Sequence, residues 1–422
     1  MFGCQQNLIR ADSDTQAVLE YLCSEAAKLS NCGIYYARQL YFKTGKIPNR
    51  AQLHKVLGTE NRNLHYQAFY SDTAQQILTS VAESFKSFLG LIKAFKKGTI
   101  TDRPKLPKYR QGGMAVVTFT GRSVKLKDRM LRFPLGNKVK SWFGLDAFYL
   151  PMPSNLDFKE IREYRILPRN GCFYLEFVYK TTEVQSDVDP TRCLMIDHGI
   201  DNWLTCMSNV GTSFIVDGRH LKSLNQGYNK RVAFLMEGKS NGFWSKRLAN
   251  LTERRNRQMR DAVNKAARKV IDRCLKNRIG TVVFGWNKGQ KQSANMGSKT
   301  NQKFVQIPTG RLKDRIAQLC ERYGLRFAET EESYSSKASF VDNDLLPTFG
   351  EKPEGWLPSG RRIKRGLYRT TKGWLINADC NGCGNIGRKV AVILGLDLSG
   401  IGRGELSAPL RLKLWSQESS SL

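Results

Sequence analysis

The chain has 422 residues, 41% of them hydrophobic, which is enough for the cores of two or three domains and excludes wholesale disorder. Its 68 Lys and Arg against 37 Asp and Glu give a formal net charge of +31. That excess is spread along the whole length, which excludes a simple localisation tail and points to a polyanion held along a channel.

Residues 12–95 read as mostly helical. Asp12, Ser13 and Asp14 form a helix-start cluster, and Val18, Leu19, Leu22 and Ala26 then recur at helical spacing. A second helical pattern runs from Thr73 to Phe95. The basic, Pro- and Gly-containing stretch Lys96–Gly113 reads as a linker or nucleic-acid-contacting loop. From Ala115 to about Thr182 the period becomes that of strands. Val116–Thr120, Val124–Lys127, Met130–Phe133, Phe148–Pro151 and Phe173–Tyr179 are short extended runs, the pattern of a small antiparallel barrel.

Cys193–Ile196 is an apolar strand ending at Asp197. Trp203–Ser208 and Ser213–Val216 follow at hairpin distances. A long basic helix is expected from Trp244 to Lys276, with Met259, Val263, Ala266, Val270 and Cys274 on its apolar face. Thr281–Phe284 is a fourth strand, 310–323 an amphipathic helix, Leu325–Ala328 a fifth strand, and a last helix opens near Asp379. Three strands in a meander, then helix, strand, helix, strand, helix is the order of a ribonuclease H-like α/β fold.

The ten cysteines stand singly apart from Cys380 and Cys383, the usage of a reducing compartment without a disulfide framework. Met1–Arg10 lacks the apolar core of a signal peptide, and no run of about 18 apolar residues occurs. A cytoplasmic protein without membrane partners is expected.

Asp197, Glu332 and Asp379 are the acids that this fold order brings together. Singly, Asp197 reads as a turn residue, Glu332 as a surface charge and Asp379 as a helix N-cap. Together, at the ends of neighbouring strands and the start of the packing helix, they form a set of hard oxygen donors. Such a set holds two divalent ions about 4 Å apart, Mg²⁺ or Mn²⁺, against a phosphodiester.

The segment from about Thr191 to Val390 resembles the TnpB family, RNA-guided nucleases of bacterial insertion sequences related to the compact type V CRISPR effectors. The resemblance is carried by Ile-Asp-His-Gly-Ile-Asp-Asn (196–202), Phe-Gly-Trp-Asn-Lys-Gly-Gln-Lys-Gln (284–292) and Asn-Met-Gly with Asn-Gln-Lys-Phe-Val-Gln-Ile-Pro (295–308). It continues in Glu-Glu-Ser-Tyr-Ser-Ser-Lys-Ala-Ser-Phe (331–340), Arg-Arg-Ile-Lys-Arg-Gly-Leu-Tyr (361–368) and Asn-Ala-Asp-Cys-Asn-Gly-Cys-Gly-Asn-Ile (377–386). It implies a RuvC-like nuclease domain over 191–400 and a wedge-like antiparallel barrel over 115–190. Residues 1–114 would be an N-terminal strand and helical recognition region, and 401–422 a C-terminal tail. The implied partners are a guide RNA and, through an RNA–DNA heteroduplex, target double-stranded DNA.

In the family the acids come in the order Asp, Glu, Asp, and Asp197 and Asp379 take the outer places. The Glu is displaced: the fourth strand ends at Phe284 and Gly285, so Glu332, with Glu331 second, is expected from the fifth strand. Strand alternation lets only one of the two point inward. His198 is expected on the face opposite Asp197, without a catalytic role. Many relatives carry two Cys-x-x-Cys pairs before the third acid. Here the single pair Cys380 and Cys383 follows it, and half a tetrahedral site does not close, so zinc is not expected.

Arg254, Arg255, Arg257, Lys265, Arg268 and Lys269 on the long helix are candidates for phosphates of the heteroduplex. Lys288, Lys291 and Gln292 lie in a Gly-containing loop that the resemblance puts beside the active site. Arg361, Arg362 and Arg365 precede the third acid and are candidates for positioning the scissile strand. Tyr35 and Arg38 fit either contact with the duplex or guide, or helix core. Two other readings stay open: a nuclease-inactive, RNA-guided repressor, and a CRISPR-associated miniature type V effector.

Overall fold

The computed structural model describes residues 1–287 and 306–415, which divide into two compact units between Thr181 and Thr182. Lys288, Lys291 and Gln292 lie outside the described residues.

The first unit opens with strand β1 (Phe2–Leu8) and the 32-residue helix α1 (Ser13–Thr44). The helix-start cluster acts through Asp12, whose carboxylate accepts the Thr15 amide at 2.7 Å. Val18, Leu19, Leu22 and Ala26 are buried on one stripe. Short helices α2 (Arg50–His54) and α3 (Leu64–Gln67) lead into α4 (Ser71–Lys96), whose Ile77, Leu78, Val81 and Phe85 enter the same core. The strands that follow are β2 (Val117–Thr120), β3 (Lys125–Lys127), β4 (Met130–Pro134), β5 (Ala147–Pro151), β6 (Ile161–Arg169) and β7 (Cys172–Lys180), with helix α5 (Asn137–Phe143) between β4 and β5. They pair as two antiparallel sheets, β1-β7-β6-β2 and β3-β4-β5. Rings of Phe119, Phe133, Phe148, Tyr164 and Phe177 join both sheets in one core, Phe133 stacking on Phe148 at 4.9 Å. Strand β6 was not anticipated because Arg162, Glu163 and Arg165 interrupt its apolar alternation. Arg165 is held instead by Glu163 at 2.6 Å and by Glu176 of β7 at 3.3 Å.

The second unit starts with β8 (Asp189–His198), β9 (Asn202–Ser208) and β10 (Ser213–Asp217), an antiparallel meander. Helices α6 (Arg219–Met236) and α7 (Lys246–Lys276) lead to β11 (Ile279–Gly285), which runs parallel to β8 with Phe284 opposite Ile196. Helix α8 (Thr309–Tyr323) leads to β12 (Arg326–Thr330), parallel to β11. A separate three-stranded sheet, β13 (Arg361–Lys364), β14 (Leu367–Arg369) and β15 (Leu375–Asn377), precedes α9 (Ala378–Leu394). A short helix α10 (Arg403–Ser407) and strand β16 (Leu410–Leu412) follow, and β16 pairs parallel with β10. The mixed sheet has the order β12-β11-β8-β9-β10-β16.

This sheet is buried on both faces, which is why β8 reads as a continuous apolar run. Leu194 and Ile196 pack into the core formed by α7 and α8. Cys193 and Met195, one residue out of phase, pack with Cys380, Cys383 and Ile386 of α9. The strand–helix order expected for the second unit is found. Helix α6 is not among the expected elements; it buries only Leu221 and Asn225. Strands β13–β16 are three or four residues long, below any periodic signal. Among the described residues no helix is long and apolar enough to cross a membrane.

Candidate active site

Asp197 is the penultimate residue of β8, opposite Thr205 of β9, where the strand leaves the core. Burial pushes its carboxyl well above the ordinary value, and the charges of Glu332 and Asp379 push it further in the same direction. The three acids therefore stand close enough to feel one another's charge. Helix α9 reaches this strand end through Gly382: a Cβ there would stand 3.1 Å from Asp197 Oδ2.

Asp379 lies in the first turn of α9 but does not cap it. Asn377 is the cap, its side chain accepting the amides of Asp379 and Cys380. The Asp379 carboxylate is thereby left for other partners. Oδ2 accepts from Asn202 Nδ2 at 2.7 Å and Oδ1 from Arg362 at 3.0 Å.

Glu332 follows β12. Its backbone amide donates to Asn287 Oδ1 at 3.1 Å, and its Oε2 stands 3.8 Å from His198 Nε2. His198 lies on the face of β8 opposite Asp197, as strand alternation predicts, its buried ring 6.1 Å from Phe284 and 5.3 Å from Trp286. The end of β11 explains the displaced acid. A Cβ on Gly285 would meet Ile386 Cδ1 at 2.6 Å and Glu332 Oε2 at 3.4 Å. The space beside that strand end is filled by a packing residue and by the carboxylate arriving from beyond β12. Glu331 turns elsewhere: it binds Lys389 of α9 and accepts the Ser333 amide at 2.8 Å. Burial alone would raise its pKa, but these contacts outweigh it and hold the carboxyl below the usual value.

A cleft of about 260 Å³ opens over Asp197, Asn202 and Asp379, with Arg362 and Arg365 on its rim. Arg365 binds Asp201, whose other oxygen accepts Lys222 Nζ at 2.7 Å. The donors converging here are carboxylate oxygens, the chemistry of Mg²⁺ or Mn²⁺ rather than of softer metals. Among the described residues no three His, Cys, Asp or Glu side chains are gathered tightly enough to enclose an ion. Arg362 is the cation on Asp379 in this arrangement.

Residues 176–290 match the family OrfB_IS605, described as a probable transposase. The match includes Asp197 and stops short of Glu332 and Asp379. No curated protein matches. Among solved structures, the Cas12f1 chain of a Cas12f1–sgRNA–target DNA complex is similar, with 15% identity over 89% of this chain and 83% of that one, at a TM-score of 0.55. A structure of the mini-RNA-guided endonuclease CRISPR-Cas_phi3 aligns over 95% of this chain and 94% of that one, with 8% identity and a TM-score of 0.46. CasPhi-2 (Cas12j) bound to crRNA aligns over 96% and 99%, with 9% identity and a TM-score of 0.40. The likeness to Cas12f1 is one of fold.

The basic residues of this chain separate by environment. Arg254 is exposed on α7 and Arg257 partly so. Arg255 is half-buried: it donates to Asn225 Oδ1 at 2.8 Å and to the Gln306 carbonyl at 3.0 Å, so it ties α6 and α7 to the start of α8 rather than facing solvent. Burial lowers its pKa accordingly. Lys265 pairs with Asp261 at 2.9 Å and Arg268 with Asp272 at 2.5 Å, both remaining exposed, while Lys269 is partly buried. Arg361 is exposed beside Arg362. In the first unit Tyr35 is exposed, whereas Arg38 donates to the Pro107 carbonyl at 3.1 Å and lies over Phe42 and Tyr109. Cys380 and Cys383 are buried thiols in the α9 core. Cys383 donates to the Thr205 carbonyl at 2.9 Å, and burial pushes both thiols up. Asn202, Asn287, Lys222 and Lys389 were not singled out in the sequence. Asn202 and Asn287 lie inside the motif segments, but nothing in a motif states which carboxylate its amides will hold.

Proposed function

We propose that this chain is an RNA-guided DNA endonuclease. A guide RNA pairs with one strand of the target, the protein reads a short flanking motif, and a RuvC-type, ribonuclease H-like domain over residues 191–400 hydrolyses DNA. Residues 1–114 serve as the recognition region and 115–190 as the wedge. The observation that carries this reading is the placing of Asp197 and Asp379 in one cleft at the end of the mixed sheet, with Arg362 and Arg365 in its lining and the charge of Glu332 reaching Asp197. The fold likeness to Cas12f1, whose solved complex holds sgRNA and target DNA, supports it.

Asp197, Glu332 and Asp379 are the residues that would hold Mg²⁺ or Mn²⁺. Such ions activate water and neutralise charge on the leaving oxygen. The chain's own groups do the rest. Arg362 and Arg365 meet the phosphates on either side of the scissile bond. Asn202 fixes the Asp379 carboxylate without neutralising it, and His198 lines the cleft beside Asp197. One small cleft takes one strand at a time, so separated single-stranded DNA is the form that enters.

A second reading, a nuclease-inactive RNA-guided binding protein, is favoured by one observation: Arg362 is paired with Asp379. Cleavage of a matched plasmid by the protein with its copurified RNA, in Mg²⁺ and in chelator, separates the two. The endonuclease cuts in Mg²⁺ only, and Asp197→Asn does not cut. Sequence-specific binding without cutting in any divalent ion selects the repressor.

A further inference from the structure

Asp379 is held from an unexpected direction. Asn202, at the first position of β9, donates to Asp379 Oδ2 at 2.7 Å and accepts from Arg411 at 2.9 Å through its own Oδ1. Arg411 lies on β16, in the stretch that reads in sequence as a tail. The strand is fixed by its parallel register with β10, Ile215 opposite Arg411 and Val216 opposite the buried Leu412. Behind Arg411 stands Asp217, 3.5 Å from its guanidinium and bound by Arg219 at 2.5 Å.

The chemistry allows one orientation of the amide. A guanidinium only donates and an ionised carboxylate only accepts. With Arg411 on one side and Asp379 on the other, Asn202 must turn its oxygen to the arginine and its NH₂ to the acid. Removal of Arg411 takes away the second contact that holds the amide, so Asn202 is then fixed only through Asp379 and no longer braces that carboxylate from β16. Arg362 and Asn202 thus act differently on the two Asp379 oxygens. The arginine cancels the charge, whereas the amide directs the carboxylate and leaves its charge for another cation.

We propose that Asn202 and Arg411 are positioning residues for Asp379, so that the C-terminal strand β16 is part of the metal-dependent site. This rests on the nuclease reading above. The test is Mn²⁺ binding to the purified RNA–protein complex, read from the paramagnetic resonance signal of free Mn²⁺. Sites lost in Asp379→Ala define the specific binding, since RNA contributes its own. Arg411→Gln is expected to weaken those sites by about tenfold, the scale seen when a partner that orients a ligand is removed. Arg411→Lys, which keeps one donor toward Asn202, is expected to restore part of the affinity. Asn202→Ala reads the same link from the other side, and the same loss is expected should Arg411→Gln not fold. Affinity within about twofold of wild type in both Arg411→Gln and Asn202→Ala, whatever happens to thermal stability, overturns the positioning role and leaves the nuclease reading standing. A wild-type complex with no Mn²⁺ sites beyond those of Asp379→Ala overturns both.

Discussion

A carboxylate at Asp197 works against the folded protein whenever no cation is present. Burial first, then Glu332 and Asp379, raise its folded pKa above the unfolded value. In the window between those two values the native state binds the extra proton, so stability falls as pH rises, and the loss is complete above the folded pKa. Asp197→Asn removes the ionisation. In chelator, its melting temperature is expected to exceed that of wild type at pH 7 and to converge with it below pH about 4; a variant less stable than wild type at pH 7 would contradict this. Glu331 shows the opposite environment. Lys389 and the Ser333 amide stabilise its charged form, as a structural ion pair does and as a shared metal ligand starved of cations does not. Gly285 and Glu332 are linked at the same scale: the missing side chain on one strand end is the room into which the next segment's carboxylate reaches.

Among the helices of the second unit, α7 buries the most residues. Ile271, Val270 and Ala267 are fully buried against the sheet, and Cys274 continues the stripe. Ile271→Ala is expected to cost about 2–5 kcal/mol in denaturant unfolding of that unit, and a cost under about 1 kcal/mol would mean that the helix does not pack as described. The stripe is the kind of feature that sequence periodicity finds, and the α7 apolar face, the β8 run and the α9 start were legible for that reason. Elements whose stability comes from pairing rather than from apolar period were not. Strand β6 is held by Arg165 between two glutamates, α6 by polar contacts around Asn225, and β16 by three residues of parallel register. The same division runs through the site. The places of Asp197, Glu332 and Asp379 at strand and helix ends are readable in the sequence, whereas the Lys389 partner that engages Glu331 is not. The amides that aim those acids were not readable, because an Asn declares no partner until the chain brings one. Arg255 shows the converse error: on a helical wheel it is one more cation, and in the fold it is a buried tie between helices.

For the whole molecule, the net charge of +31 makes electrostatic attraction the dominant contribution to association with a nucleic acid. Affinity for RNA is expected to fall steeply and linearly in log–log form with salt. Arg254→Ala should lower that slope by about 1 if its exposed side chain meets a phosphate. Arg255→Ala should instead leave the slope unchanged and lower stability by about 1–3 kcal/mol, the cost of unsatisfied buried partners. Equal slopes and equal stabilities for the two variants would mean that both arginines occupy the same environment. The most direct measurement is target cleavage in Mg²⁺ by the RNA-loaded protein, comparing wild type with Glu331→Gln and Glu332→Gln. Loss of cutting by at least about a hundredfold in Glu332→Gln, with Glu331→Gln within about tenfold of wild type, is the result expected of a carboxylate relocated beyond β12. Cutting that survives in Glu332→Gln, or that is lost in Glu331→Gln alone, would contradict it.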